Sequence, residues 1–353
     1  MDRARIGLSG IDLSGRGLEI GASYDPLVPK SSGARVETVD HAGRDELITK
    51  YKDWGLEDDR SGNIEPVDYI WNGGSLLDVI KEHAVYDYIV AAHVIEHSVD
   101  LLQFLCDCEA LLTVGGRLAL IVPDKRYTFD RFRPLSTVGE VLDAHHGDKQ
   151  FHSLRPLVDH EVYACRRGNA LGWGARDDRP LELQFPDLEG VPEAIRDGLE
   201  QYSYRDTHRW QFTPTSFRLL ISDLALLGYH GLGIVASAAT EGFEFFVTLG
   251  KGAPPATDGN RLDELMQIEY ELAETTAAVL LSELTAYRKA MGSATQDRVS
   301  QSEVIAHQRA TIDSQQALIH AQQSAIAELH ESTSWTLTRP IRAASMLLHR
   351  LRH

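Results

Sequence analysis

DYIVAAHVIEHSVDLLQFLCDCEALLTVGGRLALIVP, residues 87–123, reads as one complete strand, helix, strand unit. Tyr88 to Ala92 is a short apolar run of β-formers bounded by Asp87 and, on the far side, by His93 and the Glu96-His97 pair. That pattern predicts a strand buried on both faces. Leu101, Leu102, Leu105, Cys108, Leu111 and Leu112 then recur at helical spacing, with Asp100 placed to cap the helix and Gly115-Gly116 to stop it. Leu118 to Val122 is a second apolar run, ended by Pro123. Two parallel strands joined by a crossover helix follow from this pattern. It sets an α/β architecture and leaves the reaction open.

Working back from this unit, residues 17–21, GLEIG, form a strand that delivers Glu19 and Gly21 into a loop continued by the small residues Ala22 and Ser23. A residue without a Cβ lets the backbone approach a ligand closely. Nineteen residues after Gly21, the run Arg35 to Val39 ends at Asp40. Nucleotide-binding α/β folds use an acidic residue at this position to accept hydrogen bonds from ribose hydroxyls. In this order and spacing, and with EH followed by a GG turn, the chain resembles class I S-adenosylmethionine-dependent methyltransferases of the bacterial type 11-like group. The resemblance covers about residues 15–250, most strongly 17–134. It implies a Rossmann-like, mostly parallel seven-stranded sheet with helices on both faces. It also implies S-adenosylmethionine as cofactor, contacted by Glu19, Gly21, Ala22, Ser23, Asp40, His41, Trp71, Asn72 and His93, with Trp71 and Asn72 beside adenine. The first loop, GASYDPLVP, departs from the alternating glycines usual in that family.

A nicotinamide cofactor fits this loop less well. Its diphosphate needs a G-x-G-x-x-G turn at a helix start, whereas residues 21–26 lack the second and third glycines and place Asp25 where the diphosphate would lie. A sulfonium cofactor carries positive charge and no phosphate. An acidic loop suits it.

Composition narrows the function further. With 43% apolar residues in 353, the chain can bury a sizeable core and carry an appendage. A net charge of −17 argues against nucleic acid as substrate. The three cysteines, Cys106, Cys108 and Cys165, make no disulfide framework. The sequence shows no apolar run of membrane-spanning length and no signal core, so a cytoplasmic protein is expected.

The cofactor domain is expected over residues 1–250, with a polar, His- and Arg-rich insertion at about 135–209. Phe212 to Leu227 predicts a helix capped by Thr213 or Thr215; residues 231–236 and 243–249 predict a closing antiparallel hairpin. Residues 251–260, KGAPPATDGN, read as a linker. In 261–331 a helical stripe, Leu262, Leu265, Ile268, Leu272, Val279 and Leu284, precedes a seven-residue repeat of Ile305, Ile312, Ile319 and Ile326. That period is a weak coiled-coil seam, fit for self-association or a partner helix. The tail, 332–353, holds four arginines and no acid, so the rest of the chain carries −21. It predicts a basic amphipathic helix suited to the anionic inner surface of a membrane. The phrase STSWTLTRPIR resembles segments at the ends of bacterial glycan-assembly proteins.

Methyl transfer is an in-line displacement, so the protein chiefly aligns the reactants and excludes water. A base is needed where the acceptor must lose a proton, and His93 and His97, just past the central strand, are the candidates. His145, His146, His152, Asp159, His160 and Glu161 could hold a cation, but neighbouring His145 and His146 do not reach one ion easily, and no metal is expected. Arg126, Tyr127, Arg131 and Arg133 suit a sugar or acidic small-molecule acceptor. The resulting expectation is methylation of a small molecule or glycan in bacterial cell-surface polysaccharide synthesis. The alternative is a non-catalytic scaffold whose helical tail recruits glycan-assembly partners.

Overall fold

In a computed structural model of the chain, residues 3–53, 55, 58–147, 151–200, 205–254, 261–294 and 301–331 are described. The elements run α1 (Arg3–Gly7), β1 (Gly17–Ile20), β2 (Val36–Asp40), α2 (Arg44–Asp53), α3 (Asp58–Ser61), β3 (Tyr69–Ile70), α4 (Leu76–Ile80), β4 (Tyr86–Ala92), α5 (Leu101–Leu111) and β5 (Leu112–Pro123). The insertion adds α6 (Val138–His146), α7 (Leu154–Tyr163), the hairpin β6 (Cys165–Arg167) and β7 (Leu181–Leu183), and α8 (Val191–Glu200). Then come α9 (Pro214–Leu226), β8 (Leu232–Glu241), β9 (Glu244–Lys251), α10 (Arg261–Ala294) and α11 (Gln301–Glu331).

Seven strands form one sheet in the order β3-β2-β1-β4-β5-β9-β8. Each of β3, β2, β1, β4 and β5 pairs in parallel with its neighbours in that series, while β9 runs antiparallel to both β5 and β8. This is the Rossmann-like methyltransferase fold, and its strand order reverses between β1 and β4. Open α/β sheets bind ligands at such a point, outside the carboxyl ends of the strands.

Burial explains why the apolar runs become strands. Leu118, Leu120 and Val122 of β5 face the larger core with Leu101, Leu105, Phe217 and Leu224, while Ala119 and Ile121 join Tyr88, Val90 and Phe246 on the other face. Side chains alternate across a strand, so a strand covered on both faces must be continuously apolar. Each fully buried Leu or Phe contributes about 1.5–3 kcal/mol. Asp100 caps α5 by accepting from Gln103 N at 2.9 Å. The Gly115-Gly116 pair does not stop α5, because the helix ends at Leu111 and the chain passes straight into β5. The glycines take up a bulge, with Tyr86 opposite Leu112 but Tyr88 opposite Arg117, and Gly115 adopting φ +78°. Helix α9 starts on a capping box in which Thr213 and Ser216 exchange backbone-to-side-chain bonds, with Pro214 in its first turn.

The chain groups into two units, residues 1–283 and 284–353. The first part of α10 belongs to the former, and it packs differently from its apolar stripe. Ile268 and Thr275 are buried, Glu264 pairs with Arg218 at 2.7 Å, and Glu271 accepts from Thr215 Oγ1 at 2.6 Å, whereas Leu262 and Leu265 are exposed. The packed face is residues 264, 268, 271 and 275, a polar-studded turn-by-turn row that an apolar pattern does not reveal. In the second unit α11 leaves Ile312 and Ile319 about half exposed (52% and 51%), and the basic tail lies outside the described residues. No helix among the described residues is long and apolar enough to cross a membrane.

Candidate functional site

The carboxyl ends of β1, β2 and β4 meet at the reversal of strand order, and most of the expected cofactor residues meet there too. Gly21 sits at φ +73°, and a Cβ on it would come within 2.7 Å of Val94 Cγ2. Both facts favour glycine. Asp40 accepts from Ser23 N at 3.1 Å through Oδ2 and from His41 N at 2.8 Å through Oδ1, so its carboxylate gathers the ends of two loops. His41 Nδ1 lies 2.7 Å from the same Oδ1. A carboxylate oxygen accepts more than one hydrogen bond, which leaves Asp40 capacity for a ribose hydroxyl. Ala22, Ser23 and Pro26 line a hollow of about 10 Å³ against Asp40, with room for about one water. A nucleoside must therefore lie on the outer side of these loops or displace the 21–26 segment.

Trp71 donates its backbone N–H to Asp40 O at 2.9 Å, its indole N–H to Gly74 O at 3.1 Å, and lies 6.2 Å from the Phe104 ring. Asn72 beside it is exposed. Glu19 does not line the crevice. It is 2% exposed beneath the loop, where Oε1 accepts from Leu27 N at 2.6 Å and Oε2 from Val28 N at 3.0 Å. Burial pushes its carboxyl up to about 7 against the pull of those two amides. Glu19 shapes the loop from below, which corrects its expected role as a ligand contact.

The end of β4 holds a second, more charged cluster. His93 adopts φ +54°, an uncommon conformation for a residue with a side chain. Its Nε2 lies 2.5 Å from Glu244 Oε1, and its Nδ1 lies 3.2 Å from Glu96 Oε1. Glu244 also takes Arg3 Nε at 2.9 Å. Burial lowers the imidazole pKa, but the two carboxylates outweigh it and raise it to about 9. That environment favours the protonated imidazole at neutral pH. His97 is likewise raised, Asp206 and Glu96 outweighing its burial; its Nδ1 is 2.9 Å from Asp206 Oδ1.

Sequence reasoning passed over the groups that organise this cluster. Glu96 is fully buried, and neither carboxylate oxygen makes an aligned hydrogen bond, its contacts with the surrounding imidazoles being ionic. His208 reaches it from the far end of the insertion, because Arg209 N and Trp210 N both donate to Glu96 O, at 2.6 and 3.2 Å. The Nε2 atoms of His97 and His208 stand 3.9 and 4.0 Å from Glu96 Oε1. His208 Nδ1 bonds to Asp130, which Arg133 holds at 2.8 Å within the core. Burial raises the Asp130 carboxyl, but His208 and Arg133 prevail and keep it at about 2. The signals in the sequence are H-x-x-E-H at 93–97 and D-T-H at 206–208, more than 100 residues apart.

The arginines expected to meet an acceptor serve the fold. Arg126 forks onto Asp124 at 2.6 Å, Arg131 donates to the backbone oxygens of Arg126 and Thr275, and Arg133 binds Asp130. Tyr127 and Arg126 border a separate cleft of about 410 Å³ with Thr215, Arg218, Thr240 and Glu271. His145 pairs with Asp100 at 2.9 Å. His160 lies between the rings of Phe129 and Phe185, at 5.4 and 5.6 Å, and burial lowers it to about 4.

No protein-family profile matches the chain, and neither does any curated protein. Among solved structures it is similar to a Rhodobacter sphaeroides protein described as a zinc-dependent alcohol dehydrogenase, at 13% identity over 71% of this chain and 89% of that one, TM-score 0.41. It is similar also to a Burkholderia thailandensis 1,6-didemethyltoxoflavin-N1-methyltransferase with bound S-adenosylhomocysteine, at 14% identity over 71% and 78%, TM-score 0.36. A third is an S-adenosylmethionine-dependent methyltransferase of Thermotoga maritima, at 12% identity over 70% and 86%, TM-score 0.33. Likeness this distant leaves the chemistry to be read from the residues of this chain.

Proposed function

We propose that this protein transfers the methyl group of S-adenosylmethionine to a small-molecule or glycan acceptor. The observation that carries the reading is the meeting of Gly21, in a conformation and a space that favour glycine, with Asp40 at the reversal of strand order. Asp40 would hold the ribose, the 21–23 backbone would run beside the methionine portion, and Trp71 would flank the base. The cofactor supplies a methyl group activated on a sulfonium. Asp40 and Asp206 give the crevice an acidic character that favours such a cation. The acceptor would enter past His93, whose imidazolium is locked between carboxylates and so orients rather than deprotonates. An acceptor that reacts already ionised, or that loses its proton to water, suits this arrangement.

Within this reading the acceptor is a glycan or small molecule of bacterial surface-polysaccharide synthesis, and the basic tail and the 305–326 repeat bring the enzyme to a membrane surface or to a second helix. The test is formation of S-adenosylhomocysteine from S-adenosylmethionine in the presence of sugars and nucleotide sugars. Acceptor-dependent release supports the proposal. Tight cofactor binding with no release on any acceptor favours a non-catalytic scaffold.

A further inference from the structure

We propose that Glu96, His97 and His208 form a binding site for one divalent transition-metal ion of the zinc class. The inference concerns binding alone and does not depend on methyl transfer.

Three observations carry it. The Nε2 atoms of His97 and His208 lie 3.9 and 4.0 Å from Glu96 Oε1, and the three ligand atoms all fall within 4.8 Å of one another. Those first two separations are too long for hydrogen bonds, and each exceeds by about 0.5 Å the roughly 3.4 Å between tetrahedral ligands on bonds of about 2.1 Å. A modest rotation of the two imidazoles closes the set around an ion. Next, the carboxylate is fully buried, and Glu96 Oε2 has no hydrogen-bond partner. Oε1 likewise makes no aligned hydrogen bond, although His93 Nδ1 stands 3.2 Å from it, so the buried carboxylate has an unmet need for positive charge.

The third observation is the outer shell. Each imidazole turns Nδ1 onto an aspartate, His97 onto Asp206 at 2.9 Å and His208 onto Asp130, and Arg133 fixes Asp130 in turn. Metal-bound histidines characteristically give their second ring nitrogen to a carboxylate, which sets the tautomer and aims the ring. Of the two rings, which come from segments 111 residues apart, His208 is arranged so, while His97 brings Nδ1 close to Asp206 without an aligned hydrogen bond; both rings face one carboxylate. The backbone bonds from Arg209 and Trp210 to Glu96 O hold that juxtaposition. Two imidazoles and one carboxylate suit zinc and its neighbours, whereas magnesium and calcium take oxygen ligands. The His97 side chain is 26% exposed, so water or a ligand can complete the coordination from that side.

The test uses the full chain stripped with a chelator and titrated with Zn²⁺ alone, then with Mg²⁺ alone, bound metal being measured by elemental analysis and calorimetry. One zinc per chain is expected, in preference to magnesium. Asp130→Asn should weaken it about 10–100-fold, as loss of an outer-shell partner does. Glu96→Gln and His208→Gln should weaken it further, while His145→Gln should leave it unchanged. Cobalt substituted into the unaltered chain should show the visible absorption of a histidine–carboxylate site, a readout that needs no variant to fold. Absence of zinc binding by the unaltered chain, a preference for magnesium, or binding undiminished in folded Glu96→Gln and His208→Gln would overturn the proposal.

Discussion

The two sides of the crevice are built in opposite ways. On the Asp40 side the polar atoms are met by backbone amides of the adjoining loops, Ser23 and His41, and the geometry rests on a glycine and a loop. On the Glu96 side buried charges meet other side chains brought from far along the chain, Asp130, Asp206, His208 and Glu244. The first arrangement tolerates rearrangement when a ligand arrives. The second is rigid, since removing one partner leaves a charge stranded in low dielectric.

The comparison breaks most visibly at Arg133. Arg133→Met removes one of the two partners of Asp130 within the core, leaving His208 alone against it, and should cost about 3–5 kcal/mol, read as a lowered urea midpoint. A loss below about 1 kcal/mol would show that the Glu96 side is not the rigid one. The next effect is one of pH. His160 is held at about 4 when folded, against about 6.5 when unfolded. Its contribution is fully present above pH 6.5 and is lost as pH falls toward 4, at about 1.4 kcal/mol per pH unit. Glu19, raised to about 7, works in the opposite direction over much of that range. The clean observable is therefore the difference between the unaltered protein and His160→Phe, which should fall less steeply by that amount between pH 6.5 and 4. Equal slopes would remove His160 from the account. A smaller effect is expected on the Asp40 side, where Gly21→Ala must bear positive φ and the Val94 contact. It should lose about 1–2 kcal/mol of stability, and a neutral result would show that this loop does not need its glycine.

The same contrast explains what could be read from the sequence. The β4-α5-β5 unit, Asp40 at the end of β2 and the Thr213 cap are signalled by residues within one element or one turn of it, so periodicity and capping chemistry reveal them. Gly115-Gly116 misleads because a glycine pair serves a bulge as well as a helix end. Glu19 misleads because the same carboxylate can bind a ligand or brace its own loop. The Glu96 cluster was least legible, since the fold alone brings D-T-H at 206–208 to H-x-x-E-H at 93–97. The packed face of α10 was hidden for another reason, three of the four residues in its packed row being polar.

The most direct measurement is calorimetric titration of the full chain with S-adenosylmethionine, S-adenosylhomocysteine and NAD, repeated on Asp40→Ala. One site per chain is expected for the first two and none for NAD, with affinity lowered by about 1–3 kcal/mol in the variant through loss of the ribose contact. Binding of NAD in their place, no binding at all, or S-adenosylmethionine binding untouched by Asp40→Ala would contradict that expectation.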